Sequence, residues 1–233
     1  MTTFDVKFLD GHIIVGINKF EYIVDTGSPV SFGRATTICI NGKSFPIFDG
    51  GLHGITADSI STLSGLQVDG LIGMNILANF DIQFTRKQIT FSNSPLFQTD
   101  KAITVPIVAA VMGIPIILLS IAQKNRRIFF DTGAKLSYLS DDLLVGNSIG
   151  EVDDFYPSIG AYKTKVYKID VAINGKVESL IFGSLPSSLR ILLQLGQTEG
   201  IIGTELLTKY YVTLSNLNKT LILEPLDEEE SFD

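Results

Sequence analysis

The sequence predicts an all-β fold built by internal duplication: two small lobes, each a closed, barrel-like β unit with a short helix after an apolar-apolar-Gly step. Three observations predict it. The first is that the chain repeats itself. "GHIIVGINKFEYIVDTGS" lines up with "GIPIILLSIAQKNRRIFFDTGA", "ICINGKSFPIF" (38–48) with "VAINGKVESLIF" (171–182), and "DGLIGMNILANFDIQF" (69–84) with "EGIIGTELLTKYYVTL" (199–214). The second is that the apolar segments are short, β-rich and bounded by turn residues. "INGK" occurs twice between apolar runs, and Asn-Gly is the strongest two-residue hairpin signal. The third is that helix is confined to a turn or two, at "GMNILANF", at "GTELLTKY" and at "SDDLLVG", where Ser140 is placed to cap.

Taken in order, residues 1–98 form the first lobe, closing on the strand "QITFS" (88–92). The boundary falls near residues 98–101. Residues 99–226 form the second lobe, closing on "TLILEP" (220–225), and the acidic residues 227–233, "DEEESFD", form a solvated tail. The uncharged run at 103–122, "ITVPIVAAVMGIPIILLSIA", has the length of a membrane span. It also holds Pro106, Gly113 and Pro115 among β-branched residues, and it occupies the place of "VKFLDGHIIVGI" in the first copy. It therefore reads as two strands joined at Met112 and Gly113.

A chain of 233 residues with 45% apolar and 18% charged residues can bury a core and is not disordered. Its net charge of −7 argues against a nucleic-acid partner, since phosphates would find little to neutralise them. Cys39 is the only cysteine, so an intrachain disulfide and a thiolate metal site are excluded; between Ile38 and Ile40 it reads as a small buried hydrophobe. His12 and His53 stand apart from other ligand types, so no metal site is expected. The start of the chain lacks the basic-then-apolar build of a signal peptide, and with the single cysteine this points to a reducing, cytoplasmic setting.

Both copies deliver Asp-Thr-Gly from an apolar strand, at residues 25–27 and 131–133, and each is followed downstream by an apolar-apolar-Gly, at 71–73 and 201–203. This constellation resembles the aspartic proteases, both the bilobal pepsin-like and the single-lobe retropepsin-like type, over nearly the whole chain. The resemblance implies an endopeptidase in which one carboxylate from each lobe meets across a pseudo-two-fold axis. Two full charges about 4 Å apart repel by about 4 kcal/mol at an effective dielectric of 20, or about three pKa units, so such a pair keeps one proton. The ionised member can take a proton from a bound water while the protonated one polarises the scissile carbonyl. No metal, cofactor or covalent intermediate is required, and the partner implied is a polypeptide substrate acted on by a monomer away from any membrane.

Carried over by position, Asp25 and Asp131 are the catalytic pair. Thr26 and Thr132 would hydrogen-bond across the lobes, and Gly27 and Gly133 would admit the backbone close to carboxylates and substrate. Residues 71–73 and 201–203 would brace the loops from beneath. Ser28 and Ala134 follow the glycines. A hydroxyl at this position supports the dyad in the family, so Ala134 is expected to raise a carboxylate pKa and shift activity toward neutral pH.

The copies differ in length. Fifteen residues separate Asp25 from Ile40 at the Asn-Gly turn, against 42 from Asp131 to Ile173, a difference of 27. In the family this interval carries the hairpin flap over the substrate. The second copy has room for it, at about 152–173, with a tip among Ser158, Ile159, Gly160 and Ala161 and with Tyr156 or Tyr162 leaning over the cleft. The first has only "SPVSFGRATTI", so a single flap on the C-terminal lobe is expected. The first tripeptide begins at residue 25, which leaves no length for a family-type prosegment before it; the enzyme is expected to be made active. The missing flap also leaves a rival reading open, a weak or inactive peptide-binding module using the same cleft, and beside it a structural protein reusing the fold.

Overall fold

The computed structural model describes residues 1–51, 54–156 and 159–226, and the chain is predominantly β. In the first half run β1 (Thr2–Leu9), β2 (His12–Ile17), β3 (Phe20–Val24), β4 (Phe32–Gly33), β5 (Thr37–Ile40), β6 (Lys43–Pro46), α1 (Ala57–Ser64), β7 (Gly70–Ile72), α2 (Met74–Leu77), β8 (Asp81–Phe84) and β9 (Gln88–Ser92). The second half opens with β10 (Ile103–Val111), β11 (Ile114–Ile121), β12 (Lys124–Phe130) and β13 (Ser137–Leu139). It continues with β14 (Gly150–Tyr156), β15 (Gly160–Ile173), β16 (Lys176–Ser184), α3 (Arg190–Gly196), β17 (Gly200–Ile202), β18 (Tyr210–Ser215) and β19 (Thr220–Pro225).

The turn chemistry explains several of these boundaries. Asn41 and Gly42 both take positive φ, 49° and 77°, and join Ile40 to Lys43 across a two-residue hairpin. Asn174 and Gly175 do the same at 48° and 87° between Ile173 and Lys176. This is the backbone that Asn-Gly adopts with least strain and that matches strand twist. Met112 and Gly113 make a third such turn, so the uncharged run is the antiparallel pair β10–β11, and no described helix is long and apolar enough to cross a membrane.

The two halves share a pairing scheme around their tripeptides. β3 runs parallel to β7, with Val24 opposite Ile72, and β4 pairs antiparallel with β7. Likewise β12 runs parallel to β17, with Phe130 opposite Ile202, and β13 pairs antiparallel with β17. The halves are joined through a shared sheet. A six-stranded antiparallel sheet runs β1–β9–β8–β18–β19–β10, with β8 and β18, one from each half, paired at its centre. Each half leaves the backbone of one edge strand unpaired, and pairing them with each other satisfies both. One apolar cluster spans the junction, where the rings of Phe84 and Phe130 meet edge to face at 6.3 Å.

Several expectations need correction. Cys39 is exposed: strand alternation on β5 turns Ile38 and Ile40 inward and the residue between them outward. Ser140 does precede a 3-10 turn (Asp141–Leu143), but its hydroxyl makes no cap bond and is buried without a partner. Where one or two helical turns are expected after Gly203, the structure has a 3-10 turn (Thr204–Thr208). Two helices had no counterpart in the sequence reading, α1 and α3. α1 starts on a Thr56–Ser59 capping box and ends at Gly65 in the left-handed region, φ 70°. The acidic tail and His53 lie outside the described residues, as does Ser158.

Candidate active site

The parallel strand pairs hold the two tripeptide loops. Asp25 N–H donates to the Ile72 carbonyl at 2.9 Å, and Asp131 N–H to that of Ile202 at 3.0 Å. The threonines tie the loops to each other. Thr26 Oγ1 donates to the Phe130 carbonyl at 2.9 Å and accepts from Thr132 N–H at 2.9 Å. Thr132 Oγ1 returns the pattern, donating to the Val24 carbonyl at 2.8 Å and accepting from Thr26 N–H at 3.0 Å. Both side chains are fully buried, so water offers no substitute.

The glycines make room for the opposite carboxylate. A Cβ on Gly27 would lie 2.2 Å from Asp131 Cγ, and one on Gly133 would lie 2.4 Å from Asp25 Cγ. Both distances are inside van der Waals contact, so each loop requires glycine there. Gly27 N–H donates to Asp25 Oδ1 at 2.7 Å, and Gly133 N–H to Asp131 Oδ1 at 2.8 Å. The two carboxyl groups thus meet at one place, each against the other loop's glycine, and both line the same cavity.

By surface area each is half-buried, open only toward a cavity, while the protein packed around it removes most bulk solvent. Burial is accordingly the main cause that raises both pKa values, and for Asp25 the charge of Asp131 adds to it. Backbone N–H groups oppose the shift: those of Gly27 and Ser28 at Asp25, and those of Gly133 and Ala134 at Asp131. The pair titrates as a unit that retains a proton above the ordinary carboxylate range.

Ser28 acts otherwise than expected. Its hydroxyl donates to the Val30 carbonyl at 2.9 Å, and what it offers Asp25 is its backbone N–H, which Ala134 offers Asp131 equally. The Ser-to-Ala difference therefore gives no reason for a milder working pH.

Above the dyad lies a cavity of about 450 Å³. One wall comes from the first half: Ile23, Phe32, Ile55, Ile60 and Leu71. The other comes from the second: Tyr138, Leu185, Leu189, Leu192 and Ile201. The β14–β15 hairpin runs from Gly150 opposite Val166 to Tyr156 opposite Gly160, and it contributes Asp154, Phe155, Tyr156 and Tyr162 to the lining. At its tip Ile159 N–H donates to the Tyr156 carbonyl at 2.9 Å and Gly160 takes φ 86°; Ile159, Gly160 and Ala161 stand outside the lining. Among the described residues the first half places no hairpin here, and α1 with the segment before it lines that wall instead.

The hairpin is latched to the body. Tyr138 on β13 donates its hydroxyl to buried Asp154 on β14 and lies 2.8 Å from the Tyr162 hydroxyl on β15. Tyr156 lines the same cavity, and burial, then the charges of Asp131 and Asp25, push its phenol up to about 12.

His12 was missed by sequence reasoning. It is buried in the cavity wall, 5.9 Å from the Phe155 ring, and neither ring nitrogen meets a partner in hydrogen-bond geometry, although the Gly133 backbone lies beside it. Burial holds its pKa down; Asp10 and Asp154 oppose that, and Lys135 reinforces it. No local signal marks His12, because its placement depends on the Asp10–Gly11 turn packing on the second loop. There Lys135 pairs with Asp10 at 3.0 Å, and Thr204 Oγ1 donates to the Gly11 carbonyl at 2.6 Å.

No protein-family model matches the chain, and no curated protein matches it either.

Proposed function

We propose that the chain is a bilobal aspartic endopeptidase that hydrolyses peptide bonds with a water activated between Asp25 and Asp131. The observation that carries the reading is the pair of carboxyl groups, each seated on the other loop's glycine, sharing the floor of a cavity. With one proton between them, the ionised member removes a proton from water as its oxygen attacks the scissile carbonyl carbon. The protonated member hydrogen-bonds the carbonyl oxygen as charge develops there. Collapse of the tetrahedral adduct passes a proton to the departing nitrogen and restores the shared-proton state. The buried threonine bonds support this by holding two separate loops at one spacing, which proximity catalysis requires.

The apolar walls on both sides of the dyad favour substrates with apolar side chains flanking the cleaved bond, and the hairpin would close on the peptide and exclude water. One chain supplies both acids, which fits a monomer, and a lone cysteine fits a cytoplasmic setting. The matched strand pairing in the two halves favours descent from a duplicated lobe.

Incubation with a denatured polypeptide from pH 3 to 8 tests the reading, beside Asp25→Asn and Asp131→Asn. Cleavage by the wild type, and its near-complete loss in either variant with the fold retained, is the expected result. Substantial residual cleavage in a folded variant would place the chemistry elsewhere. The absence, among the described residues, of a first-half hairpin at the cavity favours the rival reading of a binding module, for which the wild type would bind peptides and cut none.

A further inference from the structure

We propose that the linker between the halves is itself a substrate, cut between Leu96 and Phe97 by a second copy of the chain; this rests on the endopeptidase reading. Residues 93–102 carry neither strand nor helix. Phe97 is 85% exposed, more than any other large apolar side chain described, and it follows the half-buried Leu96. The linker is pinned only at its ends. Ser94 N–H donates to Ser92 Oγ at 3.2 Å, Thr99 N–H to Glu224 Oε1 at 2.7 Å, and Ala102 N–H to the Thr99 carbonyl at 3.1 Å. Among the described residues no hydrogen bond holds residues 95–98. Exposed segments with few backbone bonds are where proteolytic nicking concentrates, because little structure must open first.

The chemistry of the cleft matches this segment. Its two apolar walls, Ile23 and Leu71 on one side of the dyad and Leu189 and Ile201 on the other, suit a leucine and a phenylalanine flanking the scissile bond. One water is consumed: a C–O bond forms at the Leu96 carbonyl carbon, the C–N bond to Phe97 breaks, and a carboxyl group and an amine are released. Nothing is oxidised or reduced.

Cleavage occurs between copies. The linker joins β9 to β10, both strands of the six-stranded sheet, and no residue lining the cavity belongs to that sheet. The cut leaves the β8–β18 pairing and the reciprocal threonine bonds intact, so fragments 1–96 and 97–233 stay together as a two-chain protein.

The test incubates the full wild-type chain at two widely separated concentrations and follows intact masses, with a denatured polypeptide cleaved in parallel. The expected result is two fragments meeting at Leu96–Phe97, formed faster per molecule at the higher concentration, co-eluting in native chromatography and separating in denaturant. Asp25→Asn should stay whole alone and be cut when a trace of wild type is added. Phe97→Asp in that inert background should be cut at least about tenfold more slowly, since a charge enters an apolar pocket. An intact linker while the denatured polypeptide is cut overturns the inference and leaves the endopeptidase reading standing. Failure to cut either overturns both. Cuts elsewhere, or fragments from Asp25→Asn alone, overturn the linker assignment.

Discussion

Replacing Thr26 by valine keeps the shape of the side chain and removes one oxygen. That oxygen makes two buried bonds, donating to the Phe130 carbonyl at 2.9 Å and accepting from Thr132 N–H at 2.9 Å. A net loss of about 1 kcal/mol for the first bond and about 1–3 kcal/mol for leaving the N–H buried and unpaired gives about 2–4 kcal/mol. Thr132→Val removes the mirror pair and should cost the same. No bond joins the two hydroxyls, so strict additivity would put the double variant at about 4–8 kcal/mol, a large part of a domain's whole stability. The double variant should fall short of that sum, because loops released by the first substitution can shift or admit water before the second. Urea unfolding measures each midpoint, with the slope checked for constancy. Thr26→Ser restores the oxygen and should recover most of the loss, leaving only the missing methyl group. A cost below about 1 kcal/mol for either valine variant, or no recovery with serine, would refute the argument that these bonds hold the halves in register.

Other consequences follow from burial and charge. The dyad binds more protons folded than unfolded, so its contribution to stability is full below the ordinary carboxylate range and falls as pH rises from there through the raised folded values; Asp25→Asn should therefore raise the melting temperature near neutral pH more than near pH 3. His12 shifts the other way: its lowered folded pKa makes the unfolded chain the better proton acceptor, so stability falls as pH drops below about 6.5, and His12→Phe should flatten that slope in melting scans. Tyr138→Phe leaves buried Asp154 with the Phe155 N–H at 2.8 Å and without its phenol donor, so amide exchange along β14 and β15 should quicken. If the hairpin closes on substrate, KM should rise severalfold with little change in melting temperature, and an unchanged exchange pattern would remove the latch from the argument.

What was legible in the sequence was the part written in local chemistry. Asn-Gly pairs between apolar runs announced two hairpins, and the length of the interval after Asp131 announced the β14–β15 hairpin. What escaped depended on packing between distant segments. Cys39 was misjudged because its neighbours are apolar, whereas strand alternation puts adjacent residues on opposite faces. α1 carries Ser, Thr and Asp at most positions, a pattern that favours caps and turns, and its capping box uses Ser59 where a Glu or Gln would have signalled it. Ser28 looked like a side-chain donor to the dyad, and only the turn geometry shows its hydroxyl directed to Val30. The β8–β18 pairing was invisible, since edge strands carry no mark of which partner they will find.

The same contacts explain where the two halves are alike and where they differ. Gly27 faces Asp131 and Gly133 faces Asp25, while each threonine bonds the backbone of the other loop. A change at any of these positions in one half strains the other, so both halves are held to one solution. The cavity roof carries no such reciprocal contact. A hairpin from the second half, latched through Tyr138, Asp154 and Tyr162, already covers the dyad, so a second hairpin would compete for the same space above it. On the first-half side, among the described residues, α1 and the segment before it stand against the wall instead, clear of the carboxylates. Asymmetry above a symmetric floor gives the two apolar walls different shapes, Ile55 and Ile60 on one side and Leu189 and Leu192 on the other. If the cavity takes a peptide, as proposed, unequal walls are what a directional chain can read.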